Sequence, residues 1–94
     1  NGYADGAFKE DLNVTHAEAT SYIVRLLNNE QAASLGKGKY EKLPSNHWAN
    51  GYYFVASQDK IFRGLDEDTP DPEAYTTNQE FIIMVVNALG YGNV

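Results

Sequence analysis

The feature that most constrains this chain is a repeated pattern, in which a polar turn and a threonine lead into an apolar helix. Residues 1–29 and 63–91 align without a gap at an offset of 62 positions. In each copy a glycine and an acidic turn precede a Thr-x-x-Glu sequence, which begins at Thr15 and at Thr77. Because five different features recur in the same order and spacing, we interpret the chain as containing a duplicated unit.

Each copy predicts a helix with one apolar face. Thr15 and Glu18 have the spacing of a capping box, in which each side chain bonds a backbone N–H at the helix start. We expect the first helix over residues 15–28, and the second from Thr77 to a left-handed cap at Gly90. Apolar residues follow the helical period in both copies: Ala19, Tyr22, Ile23, Leu26 and Leu27, then Phe81, Met84, Val85, Ala88 and Leu89.

The second of these helices is apolar on nearly every side. Ile82, Ile83 and Val86 lie outside its main apolar stripe. Since a helix that is apolar all round is typical of a central position, we expect this helix to be largely buried.

A third helix is predicted between the copies, over residues 47–59, with Ser45 or Asn46 as its cap. Gly51 lies inside it and costs about 1 kcal/mol relative to alanine. Trp48 is the single tryptophan. We expect it on the buried side of the helix, with stacking on a sugar ring as the alternative.

These elements predict an all-α fold with three main helices and long structured loops. The two capped helices are expected to pack together, with the Trp48 helix bracing them. Ninety-four residues leave room for one small domain, and a hydrophobic content of 43% is ordinary for a globular protein.

The charge balance excludes several classes of partner. Seven Lys and Arg against thirteen Asp and Glu give a formal net charge of −6. Since nucleic acids and anionic lipids are recognised by basic surfaces, neither is an expected partner. No apolar run approaches the roughly 18–20 residues that cross a bilayer, so no membrane insertion is expected.

The composition also argues against a metal, a cofactor or an active site. The chain has no cysteine and only two histidines, too few ligands for the usual transition-metal sites. The acidic stretch 66–73 departs from a calcium-binding loop, because the required glycine is absent and Thr77 replaces the bidentate Glu. Glycoside hydrolysis needs two carboxylates across a cleft, for which this chain has little material. We therefore expect no enzyme and no cofactor.

Three stretches resemble the S-layer homology (SLH) module of bacterial cell-surface proteins. That family combines a His-Trp-Ala helix, a Gly-Ile-x-x-Gly turn, a Gly-Tyr-x-Asp-Gly-x-Phe loop and an Ile-Thr-Arg-Ala-Glu start of an apolar helix. The matching stretches here are NGYADGAFKEDLNVTHAEA (1–19), SNHWANGYYFVASQDKIFRG (45–64) and TTNQEFIIMVVNALGYG (76–92). In this register, residues 1–35 are the C-terminal half of one SLH-type helix-loop-helix repeat. Residues 36–94 form a nearly complete second one.

The resemblance implies an extracellular, non-catalytic module that holds a secreted protein on the bacterial cell wall. SLH modules commonly work in threes, and the grooves between them hold secondary cell-wall polysaccharide, often through pyruvylated sugars. One and a half modules cannot supply all of those grooves. A neighbouring module or a second chain is therefore an expected partner beside the polysaccharide.

Both copies depart from the family at the arginine of the Thr-Arg-Ala-Glu box, which is His16 in the first copy and Asn78 in the second. An arginine can hold a carboxylate through two parallel hydrogen bonds. His16 could imitate it when protonated, whereas Asn78 can donate hydrogen bonds but has no charge. This loss favours an alternative function, that of a degenerate module with a structural or protein-binding role.

Six residues are candidates for ligand binding on these grounds. Tyr3 and Asp5 lie on the family's Gly-Tyr-x-Asp-Gly loop, although a turn in which Asp5 bonds local backbone is the simpler interpretation. Arg63 offers a cation to an anionic ligand. The remaining candidates are His16, Trp48 and Asn78.

Overall fold

The computed structural model of this chain describes residues 11–91, in which four helices and two short strands follow one another. These elements are β1 (Asp11–Thr15), α1 (His16–Leu26), α2 (Glu30–Leu35), α3 (Asn50–Gln58), β2 (Tyr75–Thr77) and α4 (Asn78–Tyr91). The described part is mostly helical. The prediction of an all-α fold with three main helices is wrong in two respects, since two strands pair and residues 30–35 form an additional helix.

The two strands lie directly before the two capped helices. They pair antiparallel, with Thr15 opposite Tyr75 and Asp11 opposite Thr77, and the register between these pairs is irregular. Asn13 has a φ of 63° in the left-handed region, as residues in β-bulges do. The sheet therefore joins the starts of α1 and α4. Strands this short show no alternating pattern, so the sequence predicts loops in their place.

Both Thr-x-x-Glu sequences form the predicted capping boxes. In the first, the Thr15 hydroxyl accepts from the Glu18 N–H at 3.1 Å, and the Glu18 carboxylate accepts from the Thr15 N–H at 2.8 Å. In the second, the Thr77 hydroxyl accepts from the Glu80 N–H at 3.1 Å, and the Glu80 carboxylate accepts from the Thr77 N–H at 2.9 Å. The equivalence of the two helix starts is thereby confirmed.

The core lies where α3 packs against α1 and α2. Tyr53 of α3 is fully buried, and its ring centroid is 5.0 Å from that of Phe62. The Tyr53 hydroxyl donates to the Pro70 carbonyl at 2.8 Å, and burial raises the pKa of this phenol. Tyr53 thus stays neutral and fixes the loop after α3. Other large core residues are Ile23, Val24, Ile61 and Met84.

A buried asparagine organises the long loop between α2 and α3. The Asn50 amide donates to the carbonyls of Tyr40, Leu43 and Pro44 at 3.0–3.2 Å. Its carbonyl oxygen accepts from the N–H groups of Gly38 and Tyr40 at 2.8 and 3.0 Å. Since a buried amide is stable only when its hydrogen bonds are made, Asn50 fixes this loop in one conformation.

The helix that contains Asn50 is shorter than predicted. It begins at Asn50 rather than near residue 47, and no side chain caps it, so neither Ser45 nor Asn46 has the predicted role. Trp48 consequently lies in the preceding turn and is 51% exposed. The expectation that Trp48 is a core residue is wrong, because the helix face that would bury it starts after it.

The last helix is also less buried than predicted. Ile82, Val86 and Leu89 are 43%, 61% and 67% exposed, while Met84 faces the core. The sequence showed an apolar surface all round α4, but the elements described here cover only one side of it. Gly90 is a helical residue of α4, so the predicted left-handed cap at this position is wrong as well.

Gly51 marks the closest approach of α2 and α3. A Cβ at this position would clash with the Ala33 carbonyl oxygen and carbon. We expect Gly51→Ala to lower the free energy of unfolding by about 2–3 kcal/mol, because this clash outweighs the higher helix propensity of alanine. Urea unfolding followed by circular dichroism measures the change.

Gly90→Ala is the matched control, because Gly90 is also helical but a Cβ there would meet no atom within 4 Å. This variant is expected to gain up to about 1 kcal/mol. Equal effects of the two substitutions would contradict the close approach at Gly51.

Candidate functional site

An open groove of about 590 Å³ lies along one side of α1. Its walls come from β1, from the outer face of α1, from the turn before α3 and from the start of α4. Most of the lining is apolar or aromatic, and the principal residues are Leu12, Val14, Tyr22, Arg25, Trp48 and Phe81. We call this cavity the aromatic groove.

Aromatic rings line both sides of the aromatic groove. Tyr22 of α1 and Phe81 of α4 have ring centroids 6.2 Å apart. Trp48 stacks on His47 at 6.0 Å and meets the edge of Tyr52 at 6.3 Å. Since Trp48 and Tyr22 are each about half exposed, their rings are available to a ligand that presents an apolar face.

Arg25 is the cationic residue of this lining. Its Nη2 donates to the Tyr52 hydroxyl at 3.2 Å, and its guanidinium carbon lies 5.4 Å from the Tyr52 ring centroid. The Tyr52 hydroxyl donates in turn to Glu30 at 3.1 Å, and Arg25 Nε lies 3.5 Å from the same carboxylate. These contacts with Tyr52 and Glu30 raise the pKa of Arg25 above its usual value.

Arg25 is not among the site residues predicted from the sequence. The signal was the spacing of Arg25 from Tyr22, which puts both on one face of α1. That spacing pointed to a ligand-facing surface only once the structure showed Tyr22 to be exposed.

His16 is buried between three segments instead of facing the aromatic groove. Its Nδ1 lies 2.9 Å from the Asp71 carbonyl oxygen, and its Nε2 lies 2.9 Å from Glu80 Oε1. Since the side chain is only 8% exposed, its position favours an internal contact between α1, residues 71–74 and α4 over contact with a ligand.

Glu80 is the point at which this internal contact meets the second capping box. Its Oε1 accepts both from His16 and from the Thr77 N–H, each at 2.9 Å. Burial raises the pKa of the Glu80 carboxyl, but the hydrogen bonds from Thr77 and His16 together with the His16 charge outweigh it. The pKa of Glu80 therefore lies below its usual value.

The other predicted site residues are not brought together. Arg63 is exposed beside Asp68 on a separate surface. Asn78 is the first residue of α4 and is partly buried. Tyr3 and Asp5 lie outside the described residues. Of the predicted set, Trp48 alone among residues 11–91 lines the aromatic groove.

Two features are absent from residues 11–91. No group of three His, Cys, Asp or Glu side chains is placed to hold a metal ion in this part of the chain. None of the helices found there is both long and apolar enough to cross a membrane.

Comparison with known proteins relates the chain to bacterial surface proteins. It is 36% identical over 92 residues to the Surface layer protein of Brevibacillus choshinensis, and 34% identical over 92 residues to the Middle cell wall protein of Brevibacillus brevis. Each alignment covers 96% of this chain. The Cellulosome-anchoring protein of Acetivibrio thermocellus is 31% identical over 83 residues, which is 85% of the chain. The chain is a homologue of bacterial cell-surface proteins.

The relatives are much longer than this chain, and their names indicate where it is located. It spans 8%, 9% and 18% of the length of these three relatives. No family model and no solved structure matches it. The names of the relatives denote surface-layer, cell-wall and anchoring proteins, which supports a cell-surface anchoring domain family. The chain is therefore extracellular and located at the bacterial cell wall.

The lowered pKa of Glu80 predicts an acid-side loss of stability. Because the unfolded chain takes up the proton at a higher pH, the stabilisation by ionised Glu80 is present above the usual value of 4.5. It is lost as the pH falls through the lower value in the folded protein. We expect Glu80→Gln to be less stable than the wild type by about 1 kcal/mol at pH 7, with this gap closing below pH 4.5.

Urea unfolding between about pH 3 and about pH 7, a range that brackets the usual pKa of 4.5 for a glutamate carboxyl, measures that gap. Glu18→Gln is the matched control, because Glu18 has the same capping position and bonds the Thr15 N–H, whereas Glu80 also bonds His16. A gap for Glu80→Gln that stays constant over this range would contradict the assignment.

Proposed function

We propose that this chain is a non-catalytic anchoring module that binds cell-wall polysaccharide noncovalently in the aromatic groove. The observation that carries the proposal is the half-exposed Trp48, whose ring borders an open cavity of about 590 Å³. Homology to surface-layer, cell-wall and anchoring proteins supports it. On this proposal residues 1–35 are the C-terminal half of one SLH-type module, and residues 36–94 are a nearly complete second one.

The exposed aromatic rings suit a sugar ligand. A sugar ring presents a C–H face that packs on an aromatic ring, and hydroxyls at its edge that need polar partners. Trp48 and Tyr22 supply aromatic surface, while Glu18 and Arg25 supply the polar partners in the same cavity. This combination of an apolar wall with a few polar groups is typical of a site for a small polar ligand.

Arg25 favours a sugar that carries a carboxylate, such as a pyruvylated one. The chain has a net charge of −6, so an acidic polymer would be repelled over most of the surface. Arg25 provides a planar fork that can hold a carboxylate through two hydrogen bonds. On this proposal Arg25 has the role of the arginines that the family carries in its Thr-Arg-Ala-Glu box and that this chain lacks. Glu30 competes with the ligand carboxylate for Arg25.

The proposal includes no reaction and no cofactor. Glu18, which lines the cavity, belongs to a helix cap, and Glu30 belongs to the Arg25–Tyr52 contact beside it. Neither is free to act as a general acid or base without losing a structural contact. Affinity would come from stacking and hydrogen bonds alone.

Trp48→Ala tests the aromatic part of the site. Since a tryptophan at the centre of a binding surface commonly contributes about 2 kcal/mol, we expect a roughly 30-fold weaker binding of purified wall polysaccharide. Binding is measured by co-sedimentation with the polymer. Tyr75→Ala is the control, because Tyr75 is an equally exposed ring that does not line the aromatic groove.

Arg25→Gln separates the charged part of the same site. We expect it to weaken binding of the pyruvylated polymer by about tenfold and to leave the polymer without pyruvate unaffected. Unchanged binding by both Trp48→Ala and Arg25→Gln would reject the aromatic groove as the site. No binding by the wild type between pH 5 and pH 8 (a span of about 1.5 units on either side of the histidine value) would favour the second function.

The second candidate function is a structural one, in which the module mainly packs against a neighbour. The observation that favours it is an asymmetry between the two copies. Thr20 and Val24 of α1 are fully buried, whereas their equivalents on α4, Ile82 and Val86, are exposed. Because α2 and α3 pack on α1 and have no counterpart on α4 in residues 11–91, a further module or a second chain would cover this face.

Val86→Glu tests this apolar face of α4. If it packs against a second copy, the wild type should self-associate with rising concentration, and a buried charge should abolish the association. Sedimentation velocity at two concentrations distinguishes the two states. Leu35→Glu is the matched control, since Leu35 is exposed to a similar degree on α2. A wild type that stays monomeric at high concentration would leave only a neighbouring module as the partner.

A further inference from the structure

Two histidines contact the segment of residues 71–74, which runs across the start of α1. His16 contacts the Asp71 carbonyl through Nδ1, and His47 contacts the Glu73 carboxylate through Nε2 at 2.9 Å. The backbone adds two bonds, from the His16 N–H to the Ala74 carbonyl at 2.8 Å and from the Ala17 N–H to the Pro72 carbonyl at 3.2 Å. The segment is thus held mainly by hydrogen bonds.

The hydrogen bonds of His16 require a proton on both ring nitrogens. Its Nδ1 faces a carbonyl oxygen and its Nε2 faces the Glu80 carboxylate, and both groups are acceptors when Glu80 is ionised. A neutral imidazole can donate from one nitrogen only. In the neutral state, therefore, one ring nitrogen and one oxygen would oppose each other as two lone pairs at 2.9 Å.

The hydrogen bonds of His47 are matched to the neutral ring instead. Its Nδ1 accepts from the Ala49 N–H at 3.0 Å, so this nitrogen carries no proton. Its Nε2 can then donate to Glu73. Both contacts are made by one neutral tautomer, and His47 needs no additional proton.

We propose that protonation of His16 controls how tightly residues 71–74 are held against the start of α1. With both nitrogens protonated, His16 joins this segment to α1 and α4. When one proton leaves, the remaining one stays on Nε2, because a charged acceptor gives the stronger hydrogen bond. The Nδ1 contact with the Asp71 carbonyl is then lost, and the 71–74 segment loosens.

Each element that packs around His16 contributes charged or titratable groups, and the contacts of these groups are as follows. On α1, Glu18 is bonded to the Thr15 N–H. On the 71–74 segment, the Asp71 carboxylate accepts from the Glu73 N–H at 3.0 Å, and Glu73 pairs with His47. On α4, Glu80 is ionised, because its pKa lies below the usual value.

On α3, the neutral Tyr53 hydroxyl is bonded to the Pro70 carbonyl, next to this segment. Within residues 11–91, the ionic partner of the His16 ring is the Glu80 carboxylate. A proton on His16 is thus opposed by no neighbouring positive charge among these groups. This effect of His16 protonation on residues 71–74 does not depend on ligand binding in the aromatic groove.

Side-chain nitrogen NMR of the wild-type chain tests the proposal directly. At pH 5 we expect His16 to carry protons on both ring nitrogens and to show both hydrogen bonds. At pH 8, on the other side of the range in which imidazoles titrate, we expect the form protonated at Nε2 only. A His16 that is neutral at pH 5, or neutral with its proton on Nδ1 at pH 8, would overturn it.

Amide hydrogen exchange tests the consequence for the 71–74 segment. After correction for intrinsic exchange rates, protection of the Ala17 amide should fall roughly fivefold to tenfold between pH 5 and pH 8. His16→Arg should keep protection constant, because arginine stays charged and can donate to both acceptors. His47→Gln is the matched control and should keep the pH dependence of the wild type.

Three results of the exchange experiment would contradict the proposal. These are constant protection in the wild type, a pH dependence retained in His16→Arg, and a dependence abolished by His47→Gln. If the arginine variant does not fold, the wild-type and His47→Gln measurements suffice for the decision.

Discussion

The carboxylate of Glu80 connects the two halves of this molecule. It closes the capping box of α4 through the Thr77 N–H and also accepts from His16 at the start of α1. The paired strands β1 and β2 bring the two helix starts together, but hydrogen bonds between strands leave the angle of the helices free. The additional bond through His16 fixes both helix starts to one point, on which the relative position of α1 and α4 depends.

The aromatic groove is a consequence of that arrangement. Its walls include Tyr22 on α1 and Phe81 on α4, whose ring centroids are 6.2 Å apart. Trp48 completes the groove from the turn before α3. That turn is placed by Asn50, whose amide satisfies the carbonyls of the preceding loop. The buried hydrogen bonds of Asn50 thus hold the turn that places the Trp48 ring at the surface.

Corresponding positions of the two capped helices differ in burial. On α1, small and β-branched residues such as Thr20 and Val24 are buried under the helices that follow. On α4, the equivalent Ile82 and Val86 are larger or equally apolar but exposed. An apolar surface of this kind is typical of a contact with another element.

Features that depend on residues close together in the chain follow from the sequence. Thr15 with Glu18, and Thr77 with Glu80, fixed both helix starts, since a capping box involves only four successive residues. The repeat at an offset of 62 and its resemblance to a surface module pointed to the cell wall, where the homologues also place the chain.

The tertiary structure alone decided which of these residues are buried, because burial depends on segments distant in sequence. Trp48 is exposed because α3 begins after it. The outer face of α4 is uncovered because nothing among residues 11–91 packs on it. Arg25 lies in the groove because Trp48 provides a wall of the same cavity. His16 became an internal contact because residues 71–74 cross the start of α1. No local pattern predicts such a crossing, since the two segments are joined only by the folding of the whole chain.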